Sequence, residues 1–374
     1  VTPRAVTGLG IVSAAGVGRA AFFEAMRAGA QPAPVDGQLE VPGFDATRYL
    51  GDKGLRSLDR LTKLLVVAAR LALHDAGLKK DGAWTAGSAE QVGIVVSNAY
   101  GSLEAITELD RVSLLEDARY INPSRFPLTV ANSAAGYASI WEELRAVNVS
   151  VSDGNCGALD AAACADVLLE QARAEALLVG GAEALSEALV LAFRKLGAVP
   201  PPAGGDGALV GEGAALLALE RPDAARARGA EVLAEVVGYG TAFEPPEREA
   251  ALVHASPEAL ERAIAGALGD AGLAPGGVDV VVSGVSGLRP FDEAELVAIR
   301  RVLGEGACVT APKRALGETL GAGGAMGMAA AIAYLREGAR AHVVRGTLPA
   351  SPRTALVASM GYYGNASAVV MRSV

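Results

Sequence analysis

The chain has 374 residues, 51% hydrophobic and 20% charged, with a formal net charge of −9. That length and apolar content can bury a large core, in one big domain or two fused smaller ones. An acidic chain without basic blocks is a poor partner for nucleic acid or an anionic membrane surface, and neither is expected.

The cysteines Cys156, Cys164 and Cys308 have spacings that fit neither a zinc site nor a disulfide framework. A reducing, cytoplasmic setting is therefore expected, with no metal and no cofactor. The chain runs straight into strand-like Val6-Thr7-Gly8-Leu9-Gly10 without a basic region before an apolar run, so no signal peptide is expected. The most apolar stretch, Ala322 to Leu335, is too short and Gly-rich to cross a membrane.

Further along, Ala69 to Leu78 (ARLALHDAGL) has the pattern of an amphipathic helix end, with Gly77 as its stop. A polar loop leads to a buried strand at Val92 to Gly101, VGIVVSNAYG. Strand Val147 to Val151 enters a turn at Asp153-Gly154-Asn155, and an Ala-rich helix begins near Gly157. Pro200 to Gly207 (PPPAGGDG) is expected to be an exposed loop, and Arg221 to Gly229 (RPDAARARG) a polar divide.

The series then repeats itself. Ile264 to Leu273 (IAGALGDAGL) matches the first helix end, with Gly272 as the stop. Val278 to Gly287 (VDVVVSGVSG) matches the first buried strand. A strand around Cys308 to Thr310 leads through Lys313 to an Ala/Gly-rich helix from about Thr319. Continuous β-branched runs suit a sheet covered on both faces, and helices of small residues suit a deep core. Two similar halves, 1–228 and 229–374, of alternating strands and helices predict a layered α/β fold.

Several segments resemble the β-ketoacyl synthase family of the thiolase fold, in the family's order and over nearly the whole chain. They are VTGLGIVSAAG from Val6 to Gly16, NPSRFPLTVANSAAGYASI from Asn122 to Ile140, and LVGGAE from Leu178 to Glu183. Gly211-Glu212-Gly213-Ala214, KRALGETLGAGGA from Lys313 to Ala325 and SMGYYG from Ser359 to Gly364 complete the set. The resemblance implies a five-layered α/β/α/β/α arrangement built from two similar halves.

A condensing enzyme of that family carries the acyl chain on a Cys at the start of a buried helix, where the helix dipole favours the thiolate. Two His residues assist decarboxylation of the malonyl unit and stabilise the enolate and oxyanion. By register, the Cys position falls on Asn155, counting back from Gly180-Gly181-Ala182-Glu183. Cys156 is one residue late, which turns it by roughly 100° on a helix, away from the acyl tunnel. The run Asn155-Cys156-Gly157-Ala158-Leu159-Asp160 also resembles the chain-length-factor sequence, in which an amide replaces the nucleophile. The first His position, eight residues before Asp292 in Asp292-Glu293-Ala294-Glu295, is Gly284. The second falls on Glu318, whose carboxylate would repel a malonyl carboxylate. Lys313 of the same motif either pairs with Glu318 or faces solvent beside it. His74, His254 and His342 fall at no motif and are expected to be surface or packing residues.

The resemblance implies a chain-length-factor (ketosynthase-β) subunit of a type II polyketide synthase. Such a subunit forms a heterodimer with an active ketosynthase-α, which receives chains from acyl carrier protein. The expected partner interface includes Asn122, Phe126, Pro127, Asn132, Tyr137 and Val149. Tyr100, with Leu103, Ile106 and Thr107, is the expected chain-length-setting floor of the tunnel, where bulk excludes longer product. Phe126 and Tyr100 could instead be ordinary core aromatics. Two other functions stay open: a decarboxylase or acyltransferase using Asn155, Cys156 and Glu318, or a homodimeric non-catalytic scaffold.

Overall fold

The computed structural model describes residues 2–201, 205–247 and 253–374. Residues 202–204 of the expected Pro200 to Gly207 loop lie outside the described residues. The main strands of the first half are β1 (Arg4–Ser13), β2 (Val92–Ser97), β3 (Asn148–Val151), β4 (Ala176–Glu183) and β5 (Gly213–Glu220). Those of the second are β6 (Ala234–Phe243), β7 (Val280–Val282), β8 (Val309–Thr310), β9 (Thr354–Met360) and β10 (Asn365–Arg372). Helices α1 (Arg60–Asp75), α2 (Leu103–Val112), α3 (Ser133–Glu142), α4 (Gly157–Glu170) and α5 (Glu187–Lys195) belong to the first half. Helices α6 (Pro257–Asp270), α7 (Arg289–Leu303) and α8 (Gly323–Arg336) belong to the second.

The hydrogen-bonded strand order is β8-β7-β9-β10-β6-β1-β5-β4-β2-β3. The two halves mirror each other about the β6–β1 junction, where Arg4 lies opposite Val236 and Val6 opposite Ala234. In each half the inner strand (β2 or β7) runs parallel to both neighbours, and the remaining main-strand pairs are antiparallel. The sequence duplication is therefore a structural one.

Helix α1 covers the outer face of the first sheet against β1 and β5, and α6 covers the second against β6 and β10. Helices α4 and α8 lie between, each touching strands of both halves. The result is the five-layered thiolase-like arrangement. Local chemistry explains the matching outer helices. Asp59 caps α1 by accepting from Thr62 N–H, and Ser256 caps α6 by accepting from Ala259 N–H, both at 3.0 Å. Gly77 and Gly272 follow in the left-handed region at φ +65° and +63°, and the next N–H reaches back to Leu73 or Leu268. The buried layer needs small residues. A Cβ on Gly324 of α8 would sit 2.9 Å from Cγ of Leu159 on α4.

The two long predicted strands are shorter than their apolar runs. β2 ends at Ser97 and β7 at Val282. Side chains take over as backbone partners there. Asn98 accepts from Gly101 N–H and donates to Ala131 C=O, both at 2.8 Å. After β7, Glu295 accepts from Gly284 N–H, and Asp292 accepts from Ser286 and Gly287 N–H. Both strand ends become loops, and the candidate site lies beside them.

Candidate functional site

Strand β3 leads through a tight turn, Gly154–Cys156, into α4. Asn155 is buried in that turn. Its Nδ2 lies 3.4 Å from Oε2 of Glu318 and 3.5 Å from the carbonyl of Met360, while its Oδ1 is buried without a hydrogen-bond partner. The Asn155 carbonyl accepts from Ser359 Oγ at 2.9 Å. Cys156 is fully buried, with Sγ 3.5 Å from the Ser359 carbonyl. Burial, then the nearby Asp160 and Asp153 carboxylates, push its thiol well above the ordinary range. A thiol held protonated this way is a poor nucleophile.

Glu318 is the centre of the site. Lys313 Nζ donates to its two oxygens at 2.8 and 2.9 Å, Leu320 N–H at 3.0 Å and Tyr362 O–H at 2.9 Å. Lys313 is 7% exposed and Glu318 1%, so the solvent-facing alternative for this pair is overturned. The cause is Gly317 at φ +84°, whose N–H returns to the Lys313 carbonyl at 2.7 Å and folds the motif back on itself.

Gly284 lies at the end of β7, its N–H 2.6 Å from Oε1 of Glu295. A Cβ there would already meet the other Glu295 oxygen at 3.0 Å. Gly284, Lys313, Thr319 and Ser359 line a cavity of about 10 Å³, on the order of one water molecule. Burial pushes the Glu295 carboxyl up to about 8. Glu183, at the end of β4, is likewise pushed up to about 8 by burial while accepting from Ala99 and Gly321 N–H.

The fold thus brings Asn155, Glu318 and Lys313 together, with Gly284 and Lys313 on one small cavity. It puts Cys156 against the Ser359 carbonyl. The other predicted residues lie nearer the surface. Tyr100 is 40% exposed and meets the Tyr363 hydroxyl at 3.4 Å, so within one chain it borders solvent and closes no internal cavity. The Asn98-capped turn carries it outward. Leu103 packs against a small apolar cluster that includes Phe193 and Leu320, Ile106 is half-buried, and Thr107 is exposed with its hydroxyl donating to the Leu103 carbonyl. Phe126 is 64% exposed, which removes its core alternative. Asn122, Pro127 and Asn132 are exposed, while Tyr137 and Val149 are half-buried.

His254 is half-buried, and its backbone N–H donates to the Tyr362 carbonyl at 2.7 Å. Sequence reasoning missed Tyr362 and Glu295. Tyr362 stood inside the quoted SMGYYG, and its hydroxyl, beside a family loop identified only by its glycines, was the available signal. Glu295 closes the Asp292-Glu293-Ala294-Glu295 run, in which only Asp292 located Gly284.

The family model described as "Beta-ketoacyl synthase, N-terminal domain" matches residues 3–225, and "Beta-ketoacyl synthase, C-terminal domain" matches residues 233–346. The chain belongs to the β-ketoacyl synthase family. It is 31% identical to the tetracenomycin polyketide synthase ketoacyl synthase beta subunit of Streptomyces glaucescens, over 99% of this chain and 98% of that protein. It is also 31% identical to 3-oxoacyl-[acyl-carrier-protein] synthase 2 of Vibrio harveyi, over 76% of this chain and 72% of that one. The solved structure titled the ishigamide ketosynthase/chain length factor superposes with a TM-score of 0.89 at 25% identity, covering 100% of this chain and 99% of that one. The first and third of these likenesses support the ketosynthase-β, chain-length-factor type of type II polyketide synthases, while the second is to a 3-oxoacyl-[acyl-carrier-protein] synthase.

Proposed function

We propose that this chain is a non-condensing chain-length factor. It pairs with an active β-ketoacyl-ACP synthase, the ketosynthase-α subunit, and shapes the tunnel in which that partner extends a polyketide delivered by acyl carrier protein. The observation that carries this reading is the Glu318 carboxylate, buried and occupied by Lys313, Tyr362 and Leu320. Condensation needs a neutral donor aimed at the developing oxyanion. A carboxylate at that place offers no such donor and repels a malonyl carboxylate.

The same surroundings weigh against acyl transfer through Cys156, whose thiol is buried and held protonated. A partner of similar fold is supported by the surface. Strand β3 is the edge of its sheet, with no strand on its far side among the described residues. Exposed Phe126, Val130 and Ile140 belong to the segment just before it. An open edge beside exposed apolar side chains favours covering by another chain. Tyr100, exposed in the single chain, is available to close a tunnel completed by that partner.

Co-expression with the partner ketosynthase and carrier protein tests the proposal. We expect a stable heterodimer whose product lengthens when Tyr100 is cut to Ala. A chain that purifies alone, or as a homodimer, while the ketosynthase makes normal-length product without it, rules the proposal out.

A further inference from the structure

Around Glu318, three segments distant in sequence meet: the Asn155 turn, the Lys313–Leu316 helical turn and the loop 361–364. We propose that Glu318 anchors an internal stopper. With Lys313, Asn155 and Tyr362 it holds loop 361–364 over the vacated pocket and keeps acyl and pantetheine groups out of this subunit. The inference rests on the non-condensing reading above and adds how the idle site is kept shut.

Filling a pocket does not require charge, because well-packed hydrophobic side chains replace a buried ion pair without loss of stability. Here the pair is instead surrounded by donors from separate segments, each aimed at one carboxylate. Such an arrangement fixes positions. Tyr362 is the segment reaching in from the loop. Its ring meets Phe291 edge-on at 4.8 Å and Phe193 at 6.3 Å, while its hydroxyl reaches Glu318.

The loop is tied from its other side as well. His254 N–H donates to the Tyr362 carbonyl at 2.7 Å, and Glu244 N–H donates to the Gly364 carbonyl at 2.9 Å. Gly361 N–H donates to the Asn365 carbonyl at 2.8 Å. The neighbouring cavity of about 10 Å³, which shares Lys313 with this cluster, is too small for a thioester-borne chain. Cys156, next to Asn155 in the chain, is fully buried.

Cys156 therefore reports on the stopper. The test is alkylation by iodoacetamide at pH 9 of the assembly as purified, followed site by site by peptide mass spectrometry. Cys164, half-buried further along α4, serves as the folding control. In the unaltered protein we expect Cys156 to react at least tenfold more slowly than Cys164. Combined Glu318→Ala and Tyr362→Ala should raise the Cys156 rate at least tenfold with Cys164 unchanged. Tyr362→Phe, which keeps the ring and removes only the hydroxyl, should raise it severalfold, and it keeps the test usable if the double variant does not fold. Rapid Cys156 labelling in the unaltered protein, or an unchanged rate in a folded Tyr362→Phe, overturns the stopper. Neither result bears on heterodimer formation or product length, which test the chain-length-factor reading.

Discussion

Replacing Lys313 with Met tests whether the site depends on its ion pair. The charges approach to 2.8 Å with both side chains buried. At an effective dielectric of about 20, that separation gives an attraction of roughly 6 kcal/mol. Desolvation of the two ions, several kcal/mol each, cancels most of it, so the intact pair adds little net stability. Breaking it is different, because Lys313→Met strands Glu318 with only the neutral donors of Leu320, Tyr362 and Asn155. The expected loss is about 3–5 kcal/mol. Glu318→Gln should cost a similar amount by stranding the ammonium. The double variant Lys313→Met with Glu318→Gln has no unpaired charge and keeps an acceptor for Tyr362, so it should be less destabilised than either single change. Urea unfolding followed by tryptophan fluorescence gives the four stabilities, and the double-mutant cycle gives the coupling. A Lys313→Met loss below about 1 kcal/mol, or additive single changes, would refute the reasoning.

Three further outcomes follow from other groups. Asp160 is pushed up to about 7 by burial and by Asp153, above its ordinary 3.8, while accepting from Ser367 Oγ at 2.6 Å. The folded chain therefore holds a proton that the unfolded chain releases. The contribution of this group to stability is fully present below about pH 4 and is lost as pH rises through about 7, up to about 4 kcal/mol. Asp160→Asn keeps the Ser367 bond and should flatten that slope in melts from pH 5 to 8; an unchanged slope counts against the assignment. Combined Asn155→Cys, Gly284→His and Glu318→His should yield no condensation product in a malonyl-carrier-protein assay. Glu295 occupies the space a side chain on residue 284 needs, and forcing one in costs about 1–3 kcal/mol. Gly324→Ala should destabilise the chain by a similar amount in thermal unfolding, because its methyl group meets Leu159.

The parts legible in the sequence are those set by local pattern. The stops Gly77 and Gly272, the repeated strands and the two helices of small residues follow from periodicity and backbone freedom, and the structure has them all. Strand lengths were less legible, because Asn98 and Asp292 end β2 and β7 through side-chain bonds that no apolar pattern records. Within the site, the motifs located Asn155, Gly284, Glu318 and Lys313. Tyr362 escaped notice because its partner lies 44 residues away in the chain.

The sequence, through its family resemblance, pointed to a thiolase-like fold, and by register it placed Asn155, Gly284 and Glu318 at the motif positions where the family's Cys and two His are expected. Tertiary structure decided where those side chains sit. Whether Glu318 faces solvent or Lys313, whether Cys156 is buried or exposed, and whether Tyr100 lies inside or at the surface all depend on contacts between distant segments. Local pattern fixes backbone conformation, but burial and charge pairing are properties of the assembled layers.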